Sequence, residues 1–421
     1  MGLILRNYDF VELSEEEYRN YAKTVKIGSF LQMPEMKALL QPLGWKTYYV
    51  GVKEDGLIKL ASFLVAKHMT GGMHFEMQYG VITAEKDELA ENFFYEHLKY
   101  FVKAHHGLEL LAIPNNDYQH LDDKGEAITE KDDDFINRLN HLGYKHWDFI
   151  TGFNDRGESI WHYVKDLSAI ADSKKLMKSY SKAGQHSVKK TQQFGIRVRP
   201  MQREELSVFK DMTAQTSERR GYDDHDLPYY EHFYDAFGEN CDFLLAEINF
   251  AQYAKGLEED ISKNEAKIQS LNADIEASDS AKKKKQRDEL VKQTASLQKR
   301  MDEVAGYVET YGDQAVPLAG ALMVYNSAET VYLASGSYEN FKNFYAPFAI
   351  QHYAMSKTLD LGISSYNFFG IQGKLDGSDG VLRFKENFAG EIVEKMGYFD
   401  YVAHPMKQKS LLVLKKLMRR H

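Results

Sequence analysis

A chain of 421 residues is too long for one ordinary core and fits two domains plus an accessory element; at 43% hydrophobic and 13% aromatic it has enough apolar material for large packed cores, which excludes a disordered chain. A formal net charge of −9 argues against bulk coating of nucleic acid, because phosphate binding rests on Lys and Arg. The single cysteine, Cys241, excludes an internal disulfide and a cysteine-based zinc site and points to a reducing, cytoplasmic setting.

The N-terminal MGLILRNYDF has too short an apolar run for a signal peptide, and no later stretch approaches the roughly 20 apolar residues of a membrane span. From Trp45 to Ile82, WKTYYVGVKEDG, LIKLASFLVAKHMTGG and MHFEMQYGVI are rich in β-branched and aromatic residues and predict three successive strands. Leu89, Phe93, Phe94, Leu98 and Phe101 recur at helical spacing and predict a helix over 85–105. LELLAIP then predicts a strand, and a helix over 134–142 closes an α/β unit.

Between Lys174 and Arg199 the chain is densely basic without one acid, in a pattern that predicts a helix running into a strand. A solvated helix face explains such a cluster; so does a local grip on a polyanionic substrate. From Ala254 to Glu309 two arms carry apolar residues at heptad spacing, Leu257 to Ile275 and Leu290 to Val304, broken at Ser278-Asp279-Ser280. This predicts an antiparallel helical hairpin. A structural strut and a tRNA-contacting arm through Lys282 to Lys285 remain open for it.

The first rhythm then returns: strands AGALMVYN and TVYLASGSY, a helix over 346–361, and a strand at SSYNFFGI. Gly143-Tyr144 and Gly397-Tyr398 occupy the same relative place in the two halves. The expected organisation is a first α/β domain over 1–150, a related second domain over 151–253 and 310–400, and a coiled-coil arm over 254–309. A basic C-terminal helix over 401–421 is expected to pack on the first domain.

No Gly-x-Ser-x-Gly elbow, Walker loop or His-Glu-x-x-His motif occurs, so neither a triad nor a metal site is expected. The densest special sequence runs from Tyr366 to Phe388: an apolar strand, a loop with Gly370, Gly373, Gly377 and Gly380, and a helix start. Glycines there permit close backbone approach to a ligand. Upstream, Tyr345 sets a phenol beside a helix start.

The combination FLQMPEMK, SERRGYDDHDLPYYEHFYDAF, YAPFAIQ, YNFFGIQG and LRFKENFAGEI, with a helical hairpin inserted, resembles the Fem-type peptidoglycan-bridge aminoacyltransferases, the MurN-like enzymes in particular. The resemblance implies two tandem acetyltransferase-like (GNAT-type) α/β domains. It also implies transfer of Ala, Ser or Gly from aminoacyl-tRNA, with no cofactor, to the stem-peptide lysine or an already added bridge residue. The acceptor is lipid II or a UDP-linked muropeptide, so contact with the inner membrane surface is a further expectation.

Carried over by motif, Lys385 is the lysine that contacts precursor phosphate or stabilises the transition state, and Tyr345 is a precursor contact. His225 falls where some relatives have a diphosphate-gripping arginine, Ile113 where some have an aspartate, and Lys37 within a residue of a precursor-binding lysine. Arg383, Tyr366, Gly370 and Gly373 complete the expected substrate contacts. Lys182, Lys189 and Lys190 are expected to meet tRNA. Asp376 and Asp379 are candidate bases by loop position. One rival reading is an acyl-CoA N-acyltransferase, for which Lys182-Ala183-Gly184-Gln185 is a poor pyrophosphate loop; another is a coiled-coil RNA-binding scaffold.

Overall fold

The structure is a computed structural model and describes residues 6–153 and 157–418. The strands in chain order are β1 (Tyr8–Glu12), β2 (Lys46–Glu54), β3 (Leu57–Met69), β4 (Gly72–Gly80), β5 (Ile82–Thr83), β6 (Gly107–Pro114), β7 (Asp117–Leu121) and β8 (Lys145–His146). They continue with β9 (Trp161–Asp166), β10 (Arg197–Pro200), β11 (Cys241–Asn249), β12 (Ala315–Tyr325), β13 (Glu329–Ser337), β14 (Ser365–Gly370), β15 (Glu391–Lys395) and β16 (Phe399–Val402).

Among the described residues these form two eight-stranded sheets, ordered β1-β2-β3-β4-β6-β16-β8 with β5 on β3, and β10-β11-β12-β13-β14-β9-β15-β7. Each begins with four antiparallel strands and then changes to a parallel pair, β4 with β6 and β13 with β14. A crossover helix joins each pair, as parallel neighbours require: Glu88–Ala104 in the first sheet and Ala346–Asp360 in the second. The repeated order is the duplication that the two sequence rhythms predict. Asp87 caps the first crossover helix through the amides of Leu89 and Ala90, and Phe94, Tyr95, Leu98 and Val102 bury its inner face against the sheet.

Two strands cross the domain boundary expected at 150. β16 returns to the first sheet between β6 and β8, where Phe399 is fully buried, while β7 leaves the first 150 residues to pair with β15 at the edge of the second sheet. Gly143 and Gly397, with φ of 86° and 80°, turn the chain into strands that pair with each other, Phe399 opposite His146.

The hairpin runs from Phe250–Ser278 through a tight turn at Asp279 to Ala281–Tyr311, slightly longer than 254–309. Leu257, Leu271 and Val304 are buried in its seam, Lys283 pairs with Asp274 near the tip, and Phe250 stacks on Tyr307 at the base, 4.7 Å between centroids. The C-terminal helix Pro405–Met418 lies on the first sheet, where Gln408 donates to Glu109 at 2.9 Å and Leu411 covers Gly71. No helix among the described residues is long and apolar enough to cross a membrane.

The two parallel pairs differ. β4 and β6 stay paired from Met73 to Gly80, whereas β13 meets β14 only from Glu329 to Val331. Beyond Asn367, β14 also slips against β9. The second sheet therefore opens at Phe368–Gly370.

Candidate active site

At this opening the backbone turns sharply, Phe369 taking φ +61°. A polar chain behind the strand holds it there. Buried Asn367 accepts from the Phe369 amide at 2.8 Å and donates to Glu329 (2.9 Å) and to Nδ1 of His162 (3.2 Å). Nε2 of His162 lies 2.9 Å from the Ser159 carbonyl, which also accepts from the Tyr79 hydroxyl of the first domain. Burial lowers the His162 pKa to about 3, so the imidazole is neutral, and raises that of Glu329 to about 7.

Lys385 closes the opening from the front. Its ammonium donates to the carbonyls of Phe369 (3.0 Å) and Gly370 (2.6 Å), and the residue is 3% exposed. Burial lowers its pKa to about 7, against the opposing influence of Asp379. An ammonium has three N–H donors; two are engaged and one remains for a ligand.

Asp379, expected as a base, is instead the residue that ties this loop together. It is 2% exposed and accepts from the amides of Gln372 (2.8 Å), Val381 (2.8 Å) and Leu382 (3.3 Å), capping the short helix Gly380–Lys385. Asp376 is exposed, and hydrogen bonds from the Ser378 side chain and amide hold its pKa below the usual carboxylate value, so it is a poor proton acceptor. We expect Asp379→Ala to lower the unfolding free energy in urea by about 1–2 kcal/mol and Asp379→Asn, which still caps, by clearly less. Equal losses would show that charge, not hydrogen bonding, anchors the loop.

Two more expected contacts are interior. Tyr366 is fully buried and donates to Gln351 at 2.7 Å, out of reach of a substrate. Gly373 has φ +65°, and a Cβ there would meet the Trp161 indole at 2.5 Å, so its bare backbone serves packing rather than ligand approach. Gly370 presents its carbonyl to Lys385, and Phe153 and Ser159 cover its α-carbon. Arg383 is exposed on the capped helix.

The basic segment forms the helices Ser173–Ser179 and Lys182–Gln193 and then β10. Lys182 and Lys189 are exposed, and Lys190 reaches the ring of Tyr345 at 5.0 Å from its centroid. Tyr345, at φ +59°, is the cap residue of Ala346–Asp360. Arg199 is unavailable to a polyanion, because Glu205 and Glu247 hold its guanidinium. Gly184 packs against the Asn387 carbonyl, two residues past Lys385.

Lys37 and His225 belong to a second wall. Lys37, 2.6 Å from the Glu15 carboxylate, lies on the helix Met36–Leu40 of the first domain, which packs on the helix Leu227–Phe237 of the second. His225 precedes the latter and stacks on Tyr229, 3.8 Å between centroids. Ile113 is buried. Glu158, on the linker before β9, lies within electrostatic reach of Glu76 on β4, Tyr79 and Tyr229. Sequence reasoning missed Glu158, His162, Asn367 and Glu329; single polar residues within apolar strands or a linker carry no periodic signal.

Comparison with known proteins agrees along the whole chain. A family model described as the FemAB family matches residues 13–416. Aminoacyltransferase FemA of Staphylococcus aureus (strain MRSA252) is 29% identical over 420 residues, covering 98% of this chain and 99% of that protein; FemA of strain N315 matches to the same extent. The crystal structure of FemX shares the fold, with a TM-score of 0.77 at 20% identity over 95% of this chain and 99% of that one.

Proposed function

The chain belongs to the FemAB family, and from that premise we propose that it is an aminoacyltransferase. It moves Ala, Ser or Gly from a charged tRNA to the stem-peptide lysine, or to a residue already added there, of a peptidoglycan precursor. The observation that carries this reading is the family match over residues 13–416, joined by relatives called aminoacyltransferase that align over 98% of the chain.

The chemistry of the site supports it. An aminoacyl ester is already activated, so an amine held in line attacks it directly, and positioning with oxyanion stabilisation suffices. Cys241, the sole thiol, is buried with its pKa raised to about 12, which removes it as a nucleophile. Lys385 brings a cation and one unused donor to the opened sheet, and Lys182, Lys189 and Lys190 offer positive charge to the tRNA end beside Tyr345. The acceptor, whether lipid II at the inner membrane surface or a UDP-linked muropeptide, lies along the wall that carries Lys37 and His225.

The acyl-CoA alternative rests on Gly184, whose close contact is with the Asn387 carbonyl. The test is to incubate the protein with radiolabelled Ala-, Ser- or Gly-tRNA and either precursor containing lysine. Label on the precursor is expected. Failure with every pairing, with acetyl-CoA consumed instead, overturns the reading.

A further inference from the structure

Both aspartates near the glycine loop are unsuited to take a proton, yet the attacking ammonium must lose one before it can form a bond. Glu329 stands behind the strand and accepts from Asn367, which leaves Glu158 as the carboxylate at the cleft among the described residues. Glu158 lies on the linker leading into β9. Its neighbour Ser159 covers Gly370, whose carbonyl Lys385 holds, and Gly157 before it rests on Ile113 and Tyr398. The stretch is thus wedged between the opened end of the second sheet and the first domain.

The groups that face Glu158 come from several elements: Glu76 on β4, Tyr79 at the end of β4, and Tyr229 on the helix that follows His225. Tyr398, just before β16, donates to the Glu158 backbone carbonyl. Glu76 is engaged, with His74 at 3.0 Å on one oxygen and Gln78 on the other, and Tyr79 donates to Ser159. The Glu158 carboxylate makes no hydrogen bond or ion pair among the described residues.

We propose that Glu158 is the base that deprotonates the acceptor amine; this rests on the aminoacyl-transfer reading. Its carboxylate takes one proton from the ammonium, and the freed amine attacks the ester carbonyl carbon to form the C–N bond. As the carbon–oxygen bond to the ribose breaks, the ribose oxygen takes the proton that Glu158 carries. The nitrogen gives its second proton to the regenerated carboxylate, which releases it to water. Burial and the negative charge of Glu76 raise the Glu158 pKa to about 7, so near neutral pH both its proton forms are populated.

Glu158→Gln keeps the shape and removes the proton acceptor. With saturating charged tRNA and precursor, kcat is expected to fall on the order of 100-fold while precursor affinity stays within about twofold. Wild-type kcat should decline as pH falls through about 7. Relative to wild type, the Gln variant should instead gain about tenfold per pH unit from pH 7 to 9, because it depends on amine already deprotonated in solution while both proteins lose the Lys385 cation alike. A residue that only supports the fold produces no such recovery. Glu158→Asp, which retains a carboxylate, should keep the wild-type form of the pH profile at a reduced rate, and it decides the matter if the Gln variant does not fold. Wild-type protein that transfers nothing from any charged tRNA sinks the aminoacyl-transfer reading. Wild-type transfer matched within threefold by Glu158→Gln, with the same pH profile, leaves that reading standing and overturns the assignment of Glu158.

Discussion

Replacing Lys385 with methionine is expected to lower kcat for aminoacyl transfer by a factor on the order of 10²–10³, a loss typical of removing one preorganised donor from a developing oxyanion. Methionine nearly keeps the volume of the side chain, so packing between Phe384 and Phe388 survives. The donors to the Phe369 and Gly370 carbonyls do not. Two carbonyls then lose a charge-assisted partner, which is expected to cost about 2–4 kcal/mol of stability, read from urea melts. The kinetic loss should exceed what that loosening explains, because the third ammonium donor is the one left for a substrate.

The pH profile separates the two roles. Burial puts the Lys385 pKa near 7, so its cation is present below that value and lost above it. A wild-type rate that rises as Glu158 ionises and falls as Lys385 discharges has a narrow optimum close to neutrality, and Lys385→Met should abolish the alkaline fall. A methionine variant that folds and keeps more than a tenth of wild-type kcat confines Lys385 to holding the strand end.

Much of the fold was legible because its signals are local. The β-branched and aromatic runs in WKTYYVGVKEDG and LIKLASFLVAKHMTGG place β2 and β3 within a few residues, and heptads broken at Ser278-Asp279-Ser280 place both hairpin helices. The strand exchange was hidden: a four-residue strand such as FDYV shows that it pairs, but not with which sheet. The site was legible where an unusual residue type marked it. Lys385 between phenylalanines announces a buried cation. Asp379 does not announce its role, since a capping carboxylate and a basic one look alike until the Gln372 amide is placed beside it. Likewise Gly373 is set by Trp161, a residue far away in sequence.

Gly184→Ala is expected to destabilise the protein although it replaces glycine by alanine inside a helix, a change that propensity alone favours by about 1 kcal/mol. The helix Lys182–Gln193 touches the turn after Lys385 at this residue: a Cβ on Gly184 would lie 2.1 Å from the Asn387 carbonyl oxygen. That oxygen belongs to backbone and accepts from the Ser181 amide at 3.1 Å, while the Asn387 side chain is tied to the carbonyls of Arg383 and Phe384. With no flexible atom to yield, the helix must back away, and overpacking of this kind costs about 1–3 kcal/mol. We expect the overpacking to win, giving an earlier urea midpoint. The displacement also moves Lys190 from Tyr345 and strains the turn carrying Lys385. Transfer kinetics should therefore show a raised KM for charged tRNA together with a lowered kcat. An alanine variant more stable than the wild type would mean that the contact does not constrain the helix. The glycine of Lys182-Ala183-Gly184-Gln185, a poor pyrophosphate loop in sequence, is on this argument required by the contact that couples the basic helix to Lys385.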